Sequence, residues 1–144
     1  RVSAVEILSA AFQDYPPFAH FCPNEFTRCR FVHWLFQRWV VISYSVPGSQ
    51  VVGWRDMESK RMVAVSILLA PLQPFAGGLG FVDAPLPTLL KHGLAEVPFR
   101  FGPAAAVRIL QVLLAQDSVE RRLGAAFGSH WYENYVCVDP RIQC

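Results

Sequence analysis

Two runs of residues constrain this chain more than anything else in it: 62–70 (MVAVSILLA) and 130–138 (HWYENYVCV). Both are dense in β-branched or aromatic side chains, and Asp139-Pro140 stops the second. A sheet that buries both must set them side by side. Residues 50–55 (QVVGWR) have the same character, and the polar segment Asp56-Met57-Glu58-Ser59-Lys60 between 55 and 62 suits a hairpin turn. The run at 62–70 is apolar enough to lie centrally.

Helical periodicity fills the rest. Ser3 can cap a helix in which Val5, Leu8, Ala11 and Phe12 recur at three- and four-residue spacing, ending before Pro16-Pro17. Asn24 can cap a second, through Phe26, Arg30, Phe31, Trp34, Leu35, Arg38 and Val41, with Glu25 in its first turn and Pro47-Gly48 past its end. Its aromatic stripe reads as core. Residues 71–87 are dense in Pro and Gly and read as a loop, with a short helix at 89–94. Pro103 then opens a long helix containing Val107, Leu110, Val112, Leu113 and Leu114, with Arg121-Arg122 near its negative pole. The stripes predict burial of Phe31, Trp34, Leu35, Val107, Leu110 and Leu114. The order helix, helix, strand, strand, helix, helix, strand describes one α/β domain over 1–144.

Composition narrows the function classes. Hydrophobic residues make up 53% of the chain and charged ones 17%, with 11 Phe, 4 Trp and 4 Tyr, so an aromatic core is expected rather than disorder. A net charge of +2 with scattered basic residues is no nucleic-acid footprint. The N-terminal residues lack a signal-peptide core, and the run 31–46 is broken by His33, Gln37 and Arg38, so neither export nor a membrane span is expected. Cys22, Cys29, Cys137 and Cys144 form no C-x-x-C pair and read as free thiols in the cytoplasm. His20, His33, His92 and His130 have no metal-ligand spacing, and no metal is expected. Gly77-Gly78-Leu79-Gly80 is not followed by an amphipathic helix and reads as a loop rather than a phosphate cradle.

The segment His130-Trp131-Tyr132-Glu133-Asn134-Tyr135-Val136-Cys137-Val138-Asp139-Pro140-Arg141-Ile142-Gln143 resembles the fourth strand of the GNAT N-acetyltransferase superfamily, where H-W-Y-L-x-x-L-x-V-D-P-x-x-Q is common. Ala10-Ala11-Phe12-Gln13-Asp14-Tyr15-Pro16 is similar to the A-A-F-x-D-Y-P of its puromycin N-acetyltransferase-like members. The resemblance implies a central, mostly antiparallel sheet flanked by helices, and acetyl-CoA as co-substrate. It implies transfer to a primary amine of a small molecule or peptide, by direct attack on the thioester. The main chain of Tyr135, Val136, Cys137 and Val138 would pair with the pantetheine arm, and Gln143 would open the pyrophosphate loop. Glu133 is the implied general base, with a solvated Glu133 as the alternative. Asp14 and Tyr15 would wall the acceptor site, or Tyr15 would simply pack the helix junction.

The family's opening strand precedes its first helix, and its Q-x-x-G-x-G loop runs past Gln143. The sequence is accordingly expected to be a domain incomplete at both ends, which alone does not hold acetyl-CoA usefully. A catalytically inactive module for binding or interaction is the alternative. The acceptor and the oligomeric state are not legible.

Overall fold

The computed structural model describes residues 3–45, 47–69, 90–127 and 132–142. The elements in chain order are α1 (Ala4–Ala11), α2 (Pro16–Phe21), α3 (Glu25–Ser45), β1 (Gln50–Arg55), β2 (Met62–Leu69), α4 (Val97–Phe101), α5 (Pro103–Phe127) and β3 (Tyr132–Val138). Short 3-10 turns at Leu94–Glu96 and Pro140–Ile142 precede α4 and follow β3. The fold is mixed α/β, with the helices around a three-stranded antiparallel sheet of order β1-β2-β3.

Local chemistry sets these boundaries. Ser3 Oγ accepts from the Glu6 amide while the Ser3 amide donates to Glu6 Oε2 at 2.7 Å, a reciprocal pair that satisfies two otherwise orphaned N–H groups of α1. Asn24 Oδ1 caps α3 by accepting from the Thr27 amide at 3.0 Å. Helix α1 ends at Ala11, before Pro16-Pro17 as expected, and the two prolines open α2, which the periodicity did not reveal. Proline at the first helical positions loses no hydrogen bond and has φ already set. Asp56 Oδ1 accepts from both the Ser59 amide and its hydroxyl at 2.7 Å, closing the β1–β2 turn, with Lys60 left-handed at φ 55°.

The loop expected at 71–87 and the start of the helix expected at 89–94 lie outside the described residues. His130 and Trp131 also lie outside them, and the rest of the last predicted strand is β3, paired with β2 as expected. Pairs such as Val65↔Cys137 and Ile67↔Tyr135 place buried residues opposite one another on the inner face. Helices α1 and α3 cover that face. Phe12, Phe36 and Trp39 meet the Tyr135 ring at centroid distances of 5.3, 5.0 and 6.2 Å, with the first two nearly perpendicular to it.

Phe31 and Trp34 are buried and Leu35 is half-buried, but Val107, Leu110 and Leu114 are exposed. Helix α5 makes its main contacts with α2 and α4 rather than the sheet. It turns Ala105, Ala106, Ile109 and Val112 inward, at positions i, i+1, i+4 and i+7 of one stripe. Two apolar stripes compete on this helix, and the one with the smaller side chains won because α2 and α4 approach closely there. Phe36→Ala should therefore cost about 3–5 kcal/mol in urea unfolding, and Leu114→Ala within about 0.5 kcal/mol. Equal losses would contradict this placement of α5.

Candidate functional site

Strand β3 lies at one edge of the three described strands. Its ladder with β2 slips between Ile67↔Tyr135 and Leu68↔Glu133: β3 takes two steps where β2 takes one, and Asn134 is the extra residue. A bulge of this kind takes main-chain groups out of the ladder and bends the strand, re-aiming the side chains next to it. From Tyr135 onward the alternation is clean. Tyr135 and Cys137 are buried, whereas Val136 and Val138 point to the outer face, 56% and 42% exposed. Burial pushes the Cys137 thiol up to about 11, so it is protonated at neutral pH and is no nucleophile.

The strand ends in a clamp. The Asp139 amide donates to Val63 C=O at 2.8 Å, extending the ladder by one bond, and the carboxylate itself is fully buried. Arg141 forks onto it, Nε to Oδ1 at 2.7 Å and Nη2 to Oδ2 at 2.9 Å, while Arg61 Nη2 donates to Oδ2 at 2.8 Å. The Arg141 amide adds a bond to Oδ1 at 3.1 Å. Arg61 stands immediately before β2, so one carboxylate fastens the start of β2 to the end of β3. The Arg141 hydrogen bonds, with help from Arg61, hold Asp139 down at about 2, against the burial that raises it.

The residues expected to carry function are placed unevenly. Glu133 stands opposite Leu68 beside the bulge, with its side chain outside the described part of the structure. Gln143 also lies outside the described residues. The Asp14 side chain is 86% exposed and accepts from Arg28 Nη2 at 3.1 Å, while Arg28 Nε donates to Gln13 C=O at 2.9 Å. This carboxylate ties the α1–α2 connection to α3. Tyr15, 44% exposed, packs edge-on against Phe12 and Phe18 at 5.6 and 5.5 Å. Because Phe12 also touches Tyr135, the A-A-F-x-D-Y-P segment and β3 are joined through a single ring.

The reading of α3 as plain core missed a feature. Trp34 and Arg38, one turn apart, border a half-open cavity together with Phe31, Leu35 and Tyr135. The only hint in the sequence was an arginine within an aromatic stripe. No family model, curated protein or solved structure matches the chain. Any functional assignment therefore rests on the motif and this geometry. Among the described residues no helix is long and apolar enough to cross a membrane, and no group of three or more His, Cys, Asp or Glu could hold a metal ion.

The clamp predicts an acid-sensitive component of stability. Asp139 has a depressed folded-state pKa, so its contribution is complete above the ordinary value of 3.8 and is lost as pH falls through about 2. Asp139→Asn should lower unfolding free energy near neutrality by about 1.5–3 kcal/mol, the worth of a hydrogen bond to a charged group. The variant should also flatten the stability profile between about pH 4 and pH 2, roughly the interval that the shifted pKa opens. Parallel profiles for the two proteins would show that the clamp does not titrate with folding.

Proposed function

We propose that this chain belongs to an acetyl-CoA-dependent N-acetyltransferase of the GNAT type, acting on a primary amine of a small molecule or peptide. The observation that carries the reading is the bulge at Asn134, which falls inside the segment with the family-like H-W-Y…V-D-P…Q pattern. Bulges recur beside active sites because they free main-chain groups at a fixed place on a rigid strand. In this reading the main chain of Tyr135 to Val138 pairs with the pantetheine arm, as an added strand would. Gln143 opens the pyrophosphate loop.

Glu133, next to the bulge, takes the proton from the attacking amine, directly or through water, as the nitrogen adds to the thioester carbonyl. The collapse of that adduct expels the CoA thiolate, which takes up a proton. Asp14 and Tyr15 wall the acceptor side, Tyr15 with a half-exposed ring and hydroxyl. The fixed ion pair of Asp14 with Arg28 suits it to shaping the connection rather than moving protons.

A second reading, a module that binds without catalysing, draws on the exposed Val107, Leu110 and Leu114 of α5. The two are separated by an acetyl-transfer screen over small-molecule, peptide and lysine amines, with the chain expressed alongside whatever sequence flanks it naturally. Under the enzyme reading Glu133→Gln lowers kcat by about 10²–10⁴-fold and leaves acetyl-CoA affinity nearly unchanged. Turnover unaffected by the substitution would remove Glu133 from the proton transfer, and no turnover with any amine would favour the binding module.

A further inference from the structure

The cavity beside α3 has a volume of about 70 Å³. Its wall comes from α2, α3, α4, α5 and β3, with Phe18, Trp34, Ile42, Val97, Ile109 and Tyr135 contributing, and is mostly aromatic and aliphatic. Two polar atoms close to it, Trp34 Nε1 and Arg38 Nε, are shut off from anything the size of a water. The Arg38 side chain, 38% exposed, lends its stem to the wall and carries its charge out to solvent.

An ordered water needs two to four polar partners, which this wall does not present, so water is poorly held there. An empty space forfeits the contacts its lining would otherwise make, and protein interiors contain few voids larger than a water. An apolar cavity of about 150 Å³ lined by Leu, Ile and Phe stays dry and takes up benzene. In proportion, the 70 Å³ here encloses an apolar group of about three or four carbons, too little for a whole aromatic ring. The cavity is half-open, so the rest of a longer molecule is left outside it.

We infer that this cavity binds a small neutral aliphatic molecule, taking in the end of its alkyl chain to a depth of three or four carbons and leaving its polar group at the mouth. Recognition is by apolar burial alone. Affinity therefore rises roughly fourfold for each methylene buried and stops rising once the enclosed length is filled. The site lies among the helices and does not rest on the acetyl-transfer reading.

Linear primary alcohols from ethanol to hexanol are the probes, titrated into the 144-residue chain with ¹³C-labelled isoleucine methyl groups. 1-Butanol should shift the Ile42 and Ile109 methyl resonances saturably, with the exposed Ile142 methyl reporting the general effect of the solvent. Affinity should climb about fourfold per carbon up to butanol and change little beyond it, and benzyl alcohol should bind more weakly than butanol. Ile109→Phe fills the space and should abolish the saturable shift at Ile42. Ile109→Ala deepens it and should move the plateau to a longer alcohol, which decides the matter if the phenylalanine variant does not fold. The inference is overturned if 1-butanol moves Ile42 and Ile109 no more than Ile142, or if affinity is independent of chain length. It is equally overturned if benzyl alcohol binds as tightly as butanol, if folded Ile109→Phe binds like the unsubstituted protein, or if Ile109→Ala leaves the plateau in place.

Discussion

The packing of Tyr135 between Phe12, Phe36 and Trp39 is the contact on which the rest of the fold depends. One ring from the last strand is gripped by two residues of α3 and by the residue that closes α1. The same web runs outward through Phe18, Phe21 and Phe31 to Phe101 of α4, in edge-to-face steps of about 5–6 Å. Helices with little contact to the sheet are thereby tied to it. Strand β3 is therefore part of the core rather than an appendage, although it lies at an edge of the described sheet.

The bulge and the clamp act on the two ends of that strand in opposite ways. At Asn134 the ladder is interrupted, with two steps of β3 set against one of β2. At Asp139 the ladder is locked by two arginines and one buried carboxylate. A strand with one loosened and one fixed end is positioned accurately without being fully committed to its neighbour.

Much of this was legible in the sequence. Runs rich in β-branched and aromatic residues located the three described strands, and the capping residues Ser3 and Asn24 located two helix starts, because these signals are local and chemically specific. Asp139 could be read only as the end of a strand. That it is the keystone of a clamp depends on Arg61, far away in sequence, which no spacing rule brings to it. The phase of α5 failed for a related reason. Its larger residues suggested the buried side, but close approach by α2 and α4 selected Ala105 and Ala106 instead. The donors at Trp34 and Arg38 were invisible, since only packing shows whether a buried N–H has found a partner.

The pairing of β2 with β3 also bears on how the molecule comes to be folded. Val65 and Cys137 belong to distant parts of the chain, whereas β1 and β2 are joined by a short turn and can pair at once. The hairpin and the first helices can form early on local contacts, while closing the long loop to β3 costs entropy that is repaid only when Tyr135 docks. Until then the apolar strand β2 has one unpaired edge, and the aromatic residues of α1 and α3 lack their central ring. During synthesis that interval lasts at least until the ribosome has made α5 and β3, and it is then that the nascent chain is most prone to stick to its own kind.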